Sequence, residues 1–82
     1  MNNLYGNPIL NFACAMQKEL DKNDHKSGWR ECNWEWLIKR AKQELGEVER
    51  AIQKNKPIKV ILSECADVAN FMMMIADNYE EG

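Results

Sequence analysis

The sequence predicts an all-α fold: three main helices, the second and third forming an antiparallel helical hairpin, in a helix bundle completed by oligomerisation. Three observations carry this expectation. Apolar residues recur at three- and four-residue intervals in three separate segments. No stretch alternates with the two-residue period of a strand. The breaks between segments hold the residues that stop and start helices.

The first helix opens at Pro8, a residue suited to a first helical turn, and runs to about Asp21 with Ile9, Phe12, Ala13, Met16 and Leu20 on its apolar face. From Asn23 to Cys32 the periodicity fails, and Gly28 with several polar groups marks a loop. Asn33 is placed to cap the second helix and Glu35 lies in its first turn, where a negative charge favours the helix dipole. That helix runs from about Trp34 to Lys54, with Leu37, Ala41, Leu45, Val48 and Ile52 as its apolar arc. Asn55-Lys56-Pro57 closes it, and the third helix follows from about Ile58 to Asn78. So short a connection makes the two helices antiparallel neighbours.

Two acidic pairs, Glu44-x-x-Glu47 and Glu64-x-x-Asp67, lie on these two helices. Residues three apart share a helix face. Counted outward from the bend, Glu47 pairs in level with Glu64, and Glu44 with Asp67, so a hairpin brings four carboxylates toward one volume. Such a set repels itself unless protons or cations neutralise it. Hard oxygen ligands suit Mg²⁺, with Mn²⁺ as a substitute. From Val60 to Ala76 the polar residues are Ser63, Glu64, Asp67 and Asn70, so the acids sit in a narrow stripe on an otherwise apolar helix. The plainer alternative is solvated acids on helix flanks, with Arg40 as the partner of Glu44 four residues on.

Eighty-two residues make one domain, 1–82, with a small core. The wide apolar arc of Leu62, Cys65, Ala69, Met72, Met73 and Ala76 calls for a second copy to cover it. A net charge of −2 with dispersed Lys and Arg argues against nucleic acid as a partner. No apolar run reaches membrane-spanning length. Cys14, Cys32 and Cys65 read as reduced thiols of a cytoplasmic protein, with Cys14 and Cys65 in apolar, buried surroundings.

The spacing Glu44-x-x-Glu47, sixteen residues, Glu64-x-x-Asp67 resembles the signature of the MazG-type all-α nucleoside triphosphate pyrophosphohydrolases. The segments 42–49 and 64–71 look like that family's two central helices, and the loop 25–29 like one in its small single-domain members. The resemblance covers nearly the whole chain. It implies Mg²⁺-dependent cleavage of a nucleoside triphosphate to a monophosphate and pyrophosphate, a house-cleaning role in the nucleotide pool, and a homodimer or homotetramer. The family's metal-binding acids map onto Glu44, Glu47, Glu64 and Asp67; Glu44 or Glu47 serves as general base, and the sequence leaves the choice open. On the nucleoside side, Trp29 offers a face for base stacking, Lys26 and Arg40 offer charge to phosphates, and Asn70 offers a hydrogen bond to ribose, phosphate or a bound water. Two other function classes remain: a catalytically silent nucleotide- or metal-binding regulatory module, and a purely structural helical oligomer.

Overall fold

The computed structural model describes residues 7–22 and 28–81, and these are helical with no strand among them. In chain order they form α1 (Pro8–Lys22), a 3₁₀ turn (Gly28–Glu31), α2 (Trp34–Gln53) and α3 (Ile58–Glu81). The turn lies where the sequence reads as loop, and α3 runs three residues beyond the expected Asn78. No helix among the described residues is long and apolar enough to cross a membrane.

Local chemistry sets the helix ends. Asn7 caps α1, its Oδ1 accepting from the Leu10 amide at 3.1 Å. Asn33 caps α2 in the same way, accepting from the Trp36 amide at 2.8 Å. At the other end of α2, Asn55 takes a left-handed φ of 54°. That conformation lets the Lys56 amide donate back to the Ala51 carbonyl at 2.9 Å and the Asn55 amide to Ile52 at 3.1 Å, a Schellman closure. The Pro57 carbonyl then accepts from Val60 and Ile61, starting α3.

The core gathers Leu37 and Ala41 of α2 with Phe71 and Met74 of α3, and Leu20, Trp29, Cys32, Met73 and Ile75 pack around it. Along α2 the buried row is Leu37, Ala41 and Ala51, with Glu44 and Val48 partly buried between them. Leu45 and Ile52, expected in the apolar arc, are 56% and 54% exposed. The row at positions 37, 41, 44, 48 and 51 faces α3, and the adjoining Leu45–Ile52 ridge faces away. α1 is rotated likewise. Its buried residues are Ala15 and Glu19, Phe12, Met16 and Leu20 are partly buried, and Ile9 and Ala13 are exposed. Cys14 is exposed rather than buried, because it follows Ala13 onto the solvent side of α1.

Candidate functional site

Glu44 enters the interior because it stands on the inward row of α2, one turn beyond Ala41. Glu64 and Asp67 lie one turn apart on α3, flanking the fully buried Ala66. Carboxylate oxygens of Glu44, Glu64 and Asp67 fall within 4.8 Å of one another, each residue partly buried. A cavity of about 140 Å³ beside them is lined by Glu19, Arg40, Glu44, Asp67, Asn70 and Phe71, with Met74 closing its apolar end.

The electrostatic state follows from this crowding. Burial, the charge of Glu19, then those of Glu44 and Glu64, and a hydrogen bond with Glu19 push the Asp67 carboxyl up to about 7. Burial, then Glu44, Glu47 and Glu19, raise Glu64 also, with Lys22 opposing. Ionised together, these groups repel in a partly desolvated space. A proton held on Asp67 relieves some of that repulsion.

Arg40 stands at the rim. Its Nη2 lies 3.4 Å from Glu44 Oε2, Nη1 donates to Gln43, and the guanidinium sits over the Phe71 ring with its carbon 5.3 Å from the centroid. Stacking on Phe71 fixes the side chain while leaving the guanidinium plane able to meet an anion. Glu47 is turned out of the acid group. Its Oε2 accepts from Arg50 Nη2 at 2.8 Å, and it shares with Glu64 a separate small cavity nearer the α2–α3 connection.

Asn70 is 4% exposed. It lines the acid cavity; its Nδ2 donates to the Met16 carbonyl at 3.0 Å, while its buried Oδ1 has no partner. Buried acceptors are normally satisfied by protein or water. Asn70 Oδ1 therefore lacks the partner that a buried acceptor ordinarily has.

Trp29 is fastened elsewhere. Its indole Nε1 donates to Asp77 Oδ2 at 3.0 Å, its carbonyl accepts from Asn78 Nδ2 at 2.9 Å, and Arg30 pairs with Asp77 at 3.2 Å. It packs against the core and does not line the acid cavity. Lys26 and His25 lie outside the described residues. Replacing Trp29 with Ala removes both the indole packing and the bond to Asp77. For a half-buried Trp this should destabilise the fold by roughly 2–3 kcal/mol, below the 3–5 kcal/mol of a fully buried one. Urea denaturation checks it, and an unchanged midpoint would show that the indole contributes little to stability.

Three features escape the sequence reading. Glu19, on α1, is 8% exposed and joins the acid cavity. Its only sequence signal is an acid three and four residues after Met16 and Ala15. Phe71 serves as the platform under Arg40. Lys18, Lys22 and Lys59, scattered along the chain, meet around a groove of about 490 Å³ between α1 and α3 that also touches Glu19, Ser63 and Glu64.

Compared with protein-family models, curated proteins and solved structures, the chain matches none.

Proposed function

We propose that the chain is a divalent-cation-dependent nucleoside triphosphate pyrophosphohydrolase, converting a nucleoside or deoxynucleoside triphosphate to its monophosphate and pyrophosphate in the cytoplasmic nucleotide pool. The observation that carries the reading is the meeting of Glu44, Glu64 and Asp67 within 4.8 Å beside the unpartnered Asn70 Oδ1. Such a donor set fits a hard cation such as Mg²⁺ or Mn²⁺: all its ligand atoms are oxygens, and its negative charge exceeds what neighbouring cations offset. The acidic spacing resembles the MazG-type signature and supports the same conclusion.

The chain's own residues have distinct tasks. Glu44, Glu64 and Asp67 hold the cation. When bound, it offsets phosphate charge and makes water a better nucleophile. Arg40, held over Phe71, meets a phosphate oxygen and so exchanges Glu44 for the substrate. The lysines of the neighbouring groove compensate the remaining phosphate charge. Asn70 Oδ1 accepts from a hydroxyl or water of the bound complex. Glu47 can leave Arg50 to join the cation or take a proton from the attacking water. The α2–α3 pair forms an antiparallel hairpin in this scheme.

A homodimer or homotetramer completes the bundle. Its support is the large apolar side chains left outward, among them Trp34 at 50%, Ile58 at 77%, Leu62 at 40% and Met72 at 42% exposed. Outward apolar side chains in such number on so small a chain support an interface between copies.

The test is a panel of nucleoside and deoxynucleoside triphosphates with Mg²⁺ or Mn²⁺, read as phosphate before and after added inorganic pyrophosphatase. Phosphate that appears only after pyrophosphatase, and vanishes with EDTA, is the expected result. No hydrolysis of any member with either metal would overturn the assignment and leave a binding module or structural oligomer. Release of free phosphate without pyrophosphatase would place the cleavage at the wrong bond.

A further inference from the structure

We propose that Glu19 is a further carboxylate of the cation site, and that the bound cation fastens α1 onto the α2–α3 pair. The inference rests on the cation-binding part of the reading above and is independent of the reaction assigned to it. A carboxylate as buried as Glu19, 8% exposed, persists only where partners replace its lost water. Ser63 Oγ donates to Glu19 Oε2 at 2.6 Å, and Lys22 Nζ lies 3.4 Å from the same oxygen. The carboxyl lines the acid cavity beside Glu44 and Asp67 and is within hydrogen-bonding reach of Asp67. A second observation points to a ligand in that cavity. Asn70 is 4% exposed and lines it, and its Oδ1 has no donor.

Two polar ties between α1 and α3 lie beside this cavity. Ser63 reaches Glu19, and Asn70 Nδ2 reaches the Met16 carbonyl. Without a cation, Glu19 on α1 faces Glu44, Glu64 and Asp67 across the joint, and like charge opposes docking. A hard divalent cation reverses the sign of that interaction. Mg²⁺ and Mn²⁺ both accept an all-oxygen shell of carboxylates and waters. Docking of α1 and loading of the cation are then one linked equilibrium.

The experiment uses the full chain with Mn²⁺ alone as probe. Titration by electron paramagnetic resonance gives Kd for the wild type, Glu19→Gln and, as a charge control, the exposed Glu35→Gln. Glu19→Gln is expected to weaken Mn²⁺ binding about tenfold or more, in the range seen when a group supporting a metal site is lost, with Glu35→Gln unchanged. Hydrogen exchange on the wild type should show the α1 amides gaining protection when Mn²⁺ is added. A folded Glu19→Gln with wild-type Kd overturns the proposal. If that variant does not fold, the wild-type exchange decides, and α1 protection unaffected by saturating Mn²⁺ overturns it equally. A wild type that binds no Mn²⁺ overturns both this and the cation-dependent enzyme. Mn²⁺-linked α1 protection lost in Glu19→Gln, in a protein that hydrolyses no triphosphate, upholds this inference while the reaction falls.

Discussion

Asp67→Asn should abolish at least a hundredfold of turnover and, at pH 8.5 in EDTA, melt above the wild type. The two effects share one cause. Asp67 is partly buried against Glu19, Glu44 and Glu64, so ionising it in the empty site costs stability. The amide keeps the shape, removes the charge and can donate to Glu19. Relief on the order of 1 kcal/mol corresponds to roughly 4–8 °C for a domain of this size. Without the charge, cation binding weakens, and transition-state stabilisation falls by about the hundredfold typical of a lost electrostatic contact. Thermal denaturation in EDTA and pyrophosphate release with Mg²⁺ check the two halves. A folded variant with near wild-type turnover would remove Asp67 from the site.

Cation affinity should depend steeply on pH around neutrality. The Asp67 carboxyl titrates near 7 in the native chain against an ordinary value of 3.8. Between those limits the native state holds a proton that the unfolded chain has released. Stability of the cation-free protein should therefore fall as pH rises from about 4 to about 7, then level off as far as this group is concerned. Cation and proton compete for the same carboxylate. Binding should tighten by about tenfold per pH unit below 7 and plateau above 8. Calorimetry in buffers of different ionisation enthalpy should count close to one proton released at pH 6 and nearly none at pH 8.5. Affinity that stays flat across this range would show that Asp67 is not a ligand.

Helix extents were legible because their signals are local. Asn33, Pro8 and Pro57 act within a turn of where they sit, and the apolar spacing between them needs no partner to be read. Which face turns inward is a different matter. α1 offers two adjacent stripes, one through Phe12, Met16 and Leu20 and another through Ala15 and Glu19, and the choice depends on the α3 surface opposite. On α2, Leu45 and Ile52 look like core until Glu44 is found on the inward row. The acid pairs stood out in sequence, and Glu44, Glu64 and Asp67 come together. Glu47 turns to Arg50, which spacing alone does not reveal. Glu19 was illegible because an acid on a mixed helix face acquires meaning only with Ser63 and Asp67 across from it. Trp29 reads as a loop aromatic because the Asp77 that holds it lies 48 residues away.

The left-handed Asn55 has a consequence beyond ending a helix. With Asn55, Lys56 and Pro57 tied back to α2 and forward to α3 by backbone bonds, the turn has no slack and acts as a phase reference for everything after it. One residue added between Pro57 and Ser63 would rotate Glu64 and Asp67 by about 100° around the α3 axis. They would point away from Glu44 although every side chain was still present. An insertion of four would overshoot a full turn by only about 40° but slide the acids some 6 Å along the axis. Substitutions in this turn are constrained by conformation, and changes in its length by geometry, so the three residues farthest from looking functional set whether the acids can meet.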